Sequence, residues 1–312
     1  MMQIVLGLLL RAAVVLSGTA LATFALLWHA PGDPALAIAQ ARYDAMVSQE
    51  ILDLVRQEAQ LDAGFWQAFK SWVSPLISGD FGHSSVTGRA VLPDLLTAVS
   101  YTVPLALAGL FVGLCIALPL AHIATRNPGG LLDRLAVAIA SLGAAIPAYW
   151  LGLLLILLFA VKLSWLPAMG ARTPLHMLLP ALTLGLGVAA ALTRILRSGI
   201  LEARTQQFLP ALTRRGVSAR AIGKDHVAPH AAIPVITVLG LELAFLLEGA
   251  VMVEVIFARP GLGSFLVNAI EARDFPKVQA VVMLAAVLFV TINLLIDLIY
   301  RLIDPRIGEH HA

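Results

Sequence analysis

The 312-residue chain is 59% hydrophobic and only 13% charged. A soluble domain carries about a quarter charged residues, so this composition excludes the soluble class and places the chain in a bilayer. The formal net charge of +2 decides little, and the lone Cys115, in an apolar run, excludes an internal disulfide and any cysteine-built cofactor site.

A hydrocarbon core of about 30 Å needs roughly 20 apolar residues in a helix. Six segments meet that need, at 9–28, 101–123, 135–161, 177–196, 233–257 and 278–303, which predicts an all-α integral membrane protein with six transmembrane helices. The first carries Arg11 near one end, where it can snorkel, and no small-x-small site precedes His29, so an uncleaved span is expected. Residues 30–96 are polar. Met46, Ile51, Leu54 and Val55 recur there at helical spacing, 65–76 is a second amphipathic piece rich in aromatics, and 78–85 (SGDFGHSS) is turn chemistry. This predicts a small outer-face segment too short for a core of its own. Prolines 104, 119, 147, 180 and 234 fall inside apolar runs and are expected to mark kinks.

The most informative stretch is the polar island 193–232, between the fourth and fifth spans. It holds Arg194, Arg197, Arg204, Arg214, Arg215, Arg220 and Lys224 against Glu202 and Asp225. With Arg126 and Arg134 in the loop after the second span, this bias puts the island and both termini on the cytoplasmic side. The island is too long for a simple connector. Its pattern predicts a basic continuation of the fourth span interrupted at Pro210, a turn at Gly216, and a short helix over 218–225. That is a knob suited to a cleft on a cytoplasmic partner.

The fifth span carries Glu242, Glu248 and Glu254. Intramembrane charges face a cavity or a partner, and steps of six residues turn a helix by about 240°, so the three cannot share a face. Glu242 or Glu248 is expected to line a passage and favour cationic cargo, or else to hydrogen-bond a neighbouring helix. Of the scattered histidines only His226 and His230 have ligand spacing on a helix, so a metal site is not expected. There is no catalytic constellation and no phosphate-cradling Gly-x-x-x-x-Gly-Lys-Ser/Thr loop. Energy must then come from another subunit. Membrane lipid surrounds the chain, and nucleic acid is not an expected partner.

Residues 194–198 (RILRS), Gly216, His226 and the run Ile233-Pro234-Val235-Ile236-Thr237-Val238-Leu239-Gly240 resemble the coupling-loop region of bacterial ATP-binding-cassette (ABC) permeases. The dipeptide, oligopeptide and nickel branch of those importers resembles the chain further. Glu254 precedes Phe257-Ala258-Arg259-Pro260-Gly261-Leu262-Gly263, followed by Arg273-Asp274-Phe275-Pro276 and by Asn293, Asp297, Tyr300 and Asp304-Pro305-Arg306. Pro31-Gly32-Asp33-Pro34, Gly79-Asp80-Phe81-Gly82 and Trp165-Leu166-Pro167 also fit, in order. One departure stands in the coupling motif, which reads Pro210-Ala211-Leu212-x-x-x-Gly216, with Leu212-Thr213-Arg214-Arg215 where small residues are expected.

The resemblance implies a type I ABC importer permease fold in a bacterial inner membrane. It implies a first helix over 1–29, an outer-face segment over 30–96, a permease domain over 97–303 and a cytoplasmic tail over 304–312. The coupling loop would be about 208–229, with Ala211, Leu212, Arg214, Arg215, Gly216 and His226 meeting the ATPase. Glu254, Pro260, Gly261, Gly263, Asp274, Pro276, Asp304, Pro305 and Arg306 would be structural. Implied partners are a second homologous permease subunit, two ATPase subunits that bind ATP and Mg, and an extracytoplasmic solute-binding protein. The chain itself would hold no cofactor. Cargo would be di- or oligopeptides, with nickel or a metal chelate as the alternative; the loop 165–170 (WLPAMG) is somewhat like nickel-type members. A rival of another class is an ion-coupled secondary transporter using the intramembrane glutamates, and a third is a membrane enzyme.

Overall fold

The computed structural model describes residues 2–31, 33–43, 47–58 and 63–303. Gly32, Met46, Asp304, Pro305, Arg306 and the rest of the 304–312 tail, named above, lie outside the described residues. The helices are α1 (Met2–Trp28), α2 (Pro34–Tyr43), α3 (Gln49–Glu58), α4 (Phe65–Ile77), α5 (Val91–Ala124), α6 (Leu131–Ala145) and α7 (Ala148–Leu155). They continue with α8 (Leu175–Arg204), α9 (Leu209–Arg214), α10 (Ala219–Ile222), α11 (Ala228–Ile256), α12 (Leu262–Glu271) and α13 (Phe275–Ile303). Helices α1, α5, α8, α11 and α13 contain apolar stretches long enough to cross a membrane, and the pair α6–α7 makes a sixth span if counted as one.

That pair corrects the expectation of one continuous third span. α6 and α7 are bent by 98° at the break. Ile146 is extended (φ −86°, ψ 122°) and Pro147 follows it. A proline has no N–H to donate and its ring pushes the preceding residue out of the helical region, so the chain breaks here rather than kinking. Pro104, Pro119, Pro180 and Pro234 lie inside helices as expected. α5 begins at Val91, ten residues ahead of the apolar run read from sequence, because a mixed stretch with Asp94, Thr97 and Ser100 among apolar residues continues the same helix.

Among the described residues, those up to Tyr101 with Pro260–Thr291 form one compact unit, and those of Thr102–Arg259 with the chain from Ile292 onward a second. In the first, α1 packs on α4 through rings: Phe24 lies 5.3 Å from Phe65, 5.4 Å from Phe69 and 5.6 Å from Trp72. The helical spacing read at Ile51, Leu54 and Val55 falls on α3, which meets α2 in a mini-core of Ala35, Ile38, Ala39 and Val55. Leu54, assigned to the same apolar stripe, is exposed instead. Asp33 accepts the Ala35 N–H at 2.9 Å and pairs with Arg56 at 2.7 Å. Partial burial pushes the Asp33 carboxyl up, but the Arg56 and Ala35 hydrogen bonds outweigh it and hold it below the usual carboxylate range. Gly79 and Gly82 take φ of 81° and 74°, the left-handed turns that 78–85 requires. Val91, Leu95 and Ala98 of α5 pack with Leu262 of α12 and Ala280 and Val281 of α13.

In the second unit α8 is central, burying residues from Leu179 to Ala203. Lipid tails are as apolar as leucine, so close packing rather than burial from water must hold such helices together, and small residues permit it. A Cβ added at Gly113 would stand 2.6 Å from Val188 Cγ1, and one at Gly185 would stand 2.6 Å from Val112 Cγ1 and 2.8 Å from the Gly109 carbonyl. The glycines therefore set the α5–α8 crossing. Gly240 does the same for α11, since its Cβ would fall 1.9 Å from Ile296 Cδ1.

Candidate functional site

The polar island is a folded element. α8 runs past its apolar part to Arg204, where the Thr205 N–H closes onto the Glu202 carbonyl at 3.0 Å. Pro210 sits in the first turn of α9, where a missing N–H costs nothing. After α9 the Gly216 N–H reaches the Thr213 carbonyl at 3.0 Å, and the φ of 80° at Gly216 turns the chain so that the Val217 N–H reaches the Leu212 carbonyl at 3.2 Å. Ser218 then caps α10, its Oγ accepting the Ala221 N–H at 3.3 Å. A π-helical turn over Gly223–Val227 leads directly into α11.

Ala203, Leu209 and Val227, with Ile200, Leu212 and Ile222, form a small core that joins the end of α8 to the start of α11. Leu212 thus points inward, while Ala211, Arg214, Arg215, Arg220 and Lys224 are exposed. His226 is half-buried, its ring 5.9 Å from Phe208. Two of the island's arginines are tied inward instead of facing solvent. Arg197 grips Asp133 of α6 through Nε at 2.6 Å and Nη2 at 2.7 Å, and Asp133 also accepts the Gly129 N–H at 2.7 Å. Arg204 donates to the Thr125 carbonyl at the end of α5. The end of α8 is therefore fastened to α6 and to the end of α5, and the small core ties the knob to it.

The three carboxylates of α11 have three different surroundings. Glu254 is fully buried and accepts the Thr102 hydroxyl at 2.5 Å. Glu248 is exposed in a row with Leu241, Phe245, Met252 and Val255, at alternating steps of four and three residues that trace one bare helix face. Glu242 is half-buried and lines a cavity of about 140 Å³ walled by Gly143, Ile146, Thr183, Gly187 and Phe245.

The ordered motif residues serve the backbone. Phe257 is buried, its carbonyl accepts the Gly170 N–H at 2.7 Å, and Ala258 turns the chain at φ 47°. Buried Arg259 donates to the His176 carbonyl at 3.2 Å. Pro260 is exposed, Gly261 caps α12 and Gly263 is buried within it. Asp274, 1% exposed, accepts the Ser84 hydroxyl at 2.5 Å and the Ser85 N–H at 3.0 Å. Pro276 stands in the first turn of α13, where a proline is tolerated. Sequence reading missed Asp133, Thr102, Thr125 and Ser84. Each is an ordinary polar residue whose partner is 64 or more positions away, and only the folded chain joins them. Among the described residues no three His, Cys, Asp or Glu side chains gather as a metal site.

Residues 109–309 match the family described as binding-protein-dependent transport system inner membrane component. The chain is 37% identical over 277 residues, 89% of each chain, to the glutathione transport system permease protein GsiC of Escherichia coli strain K12. It is 36% identical over the same span to the protein of that name from Shigella flexneri serotype 5b. Among solved structures it is similar to an inward-facing MetNI methionine ABC transporter, with TM-score 0.58 and 21% identity over 68% of this chain and 96% of that one. An amino acid ABC transporter crystallised with histidines gives TM-score 0.55 and 18% identity over 67% and 94%.

Proposed function

The chain belongs to the family of binding-protein-dependent transport system inner membrane components and is a permease subunit of an ABC importer; from that premise we propose that it carries small peptides inward, driven by ATP hydrolysed on separate subunits. Membership implies ATPase subunits, a solute-binding protein and a second permease. In this reading the 209–227 knob lies in the cytoplasm with both termini, and the 30–96 segment lies on the outer face. Glutathione, named for the 37% relatives, is itself a small peptide-like molecule, which supports peptide over nickel cargo.

The observation that carries the coupling role is the small core of Ala203, Leu209, Leu212, Ile222 and Val227, which makes the knob one rigid piece with two spans. Its exposed Arg214, Arg215, Arg220 and Lys224 fit an acidic cleft on the ATPase. ATP-driven movement of that cleft then tilts α8 and α11 together and biases access between two states. Gly216→Pro tests this. Proline cannot take φ of 80° and removes the N–H that reaches Thr213. Uptake should fall by about tenfold or more; intact ATP-driven uptake with this variant would show that the knob is not the coupling element.

The bare face of α11 is the proposed passage wall, because a carboxylate amid Leu241, Phe245, Met252 and Val255 is costly against lipid. Replacing Glu248 by Gln should slow cationic cargo more than neutral cargo, and equal rates for both would remove that residue from the path. Uptake that survives ATP depletion but collapses with the proton gradient would favour a secondary transporter, and uptake of nickel without peptide would favour the metal branch.

A further inference from the structure

The break in the third span and the Glu242 cavity are one feature. Ile146 and Ala148, on either side of the break, stand in the same wall as Glu242. Where α6 stops at Ala145, its last carbonyls have lost their helical donors and carry the negative end of the helix dipole. The rest of the wall is small or apolar apart from Thr183, whose hydroxyl donates to the Leu179 carbonyl at 2.8 Å. Gly187 leaves open space, since a Cβ built on it meets nothing within 4 Å. Arg194, exposed further along α8, is not in the cavity wall. The void thus combines one carboxylate with a helix C-terminus and contains no fixed cation.

From this arrangement we propose that the cavity is a subsite for the primary ammonium group of the cargo, held by the Glu242 carboxylate beside the negative end of α6, whose Gly143 stands in the wall. A volume of about 140 Å³ admits an ammonium with its first carbon and a water or two, and not a whole peptide. Nickel fits the donor set poorly, because it favours imidazole or several charged ligands and this wall offers a single carboxylate. The broken span brings a helix terminus to the cavity, which an intact helix would not. The subsite rests on the peptide-import reading and adds the chemical group that this unit recognises.

The test uses the assembled importer with its binding protein in proteoliposomes, comparing a free-amine dipeptide with its des-amino analogue. The binding protein is kept saturated with each, so its own selectivity is the same for every permease variant. The wild-type complex should translocate the free amine faster. Glu242→Gln should shrink the free-amine to des-amino ratio of kcat by about tenfold, mostly by slowing the free amine. Gly187→Val, which fills the void and leaves the carboxylate in place, should lower the same ratio while des-amino import continues. A ratio unchanged in both variants, with import intact, overturns the subsite and leaves the peptide reading standing. A wild-type complex that hydrolyses ATP but imports neither peptide overturns both.

Discussion

Asp133 has a side chain only 4% exposed, and Arg197 holds it through two hydrogen bonds. Removing one member of such a pair leaves an uncompensated charge near the membrane boundary. Asp133→Ala should therefore cost about 3 kcal/mol, read as a lowered unfolding midpoint of the purified protein in detergent. Adding Arg197→Met should recover much of that loss, and an additive double variant would show that the pair is not coupled. Asp33 makes the complementary case. Its folded pKa is depressed, so the stability it contributes is present above the unfolded carboxylate value near ~4 and is lost as pH falls through the folded value. Both members of the Asp33–Arg56 pair are more than a third exposed, and solvent screening keeps the effect of Asp33→Asn to roughly 0.5 kcal/mol. Protection of the α2–α3 amides from exchange should weaken on acidification in the wild type and stay flat in the variant. Neither role was legible in the sequence. Arg197 reads there as one of seven basic residues in an island, and its inward turn depends on an aspartate 64 positions away.

Elements were more legible than their joints. Apolar length located the spans, and Gly216 and Pro210 marked real helix boundaries because their backbone demands are local. Pro147 was visible as a proline, yet whether it kinks or breaks a helix depends on the tertiary room for a 98° bend. Glu242, Glu248 and Glu254 were rightly kept off a common face, since helical periodicity alone forbids it. Which of them meets a cavity depended on Gly143, Gly187 and the break in the third span, none of which is near Glu242 in sequence. Glycine packing gives the sharpest prediction at this scale. Gly240→Ala places a methyl 1.9 Å from Ile296 Cδ1, and the Ile296 side chain must leave its rotamer or the helix must shift to accept it. The expected cost is about 1–3 kcal/mol by overpacking. Ile296→Ala in the same chain should relieve it; Gly240→Ala with unchanged thermal stability would mean that α11 and α13 do not pack this closely.

For the whole molecule, the ordered motifs from Pro31 to Arg306 pointed to the family before any contact was known, because a series in that order over most of the chain is far more specific than one Pro-Gly turn. Gly79-Asp80-Phe81-Gly82 and Arg273-Asp274-Phe275-Pro276 resembled the family as separate motifs; the structure joins them through Ser84 and Asp274. The account's central claim is that work from a separate ATPase enters through the knob. Cysteine cross-linking tests it most directly, with Cys115 first replaced by serine because it is exposed. With Arg214→Cys in the assembled importer, a short bifunctional reagent applied to inside-out vesicles should join this chain to the ATP-hydrolysing subunit, and the yield should change when ATP is bound. Labelling of that position from the outer face, or purified complexes in which it never meets an ATPase, would contradict the account.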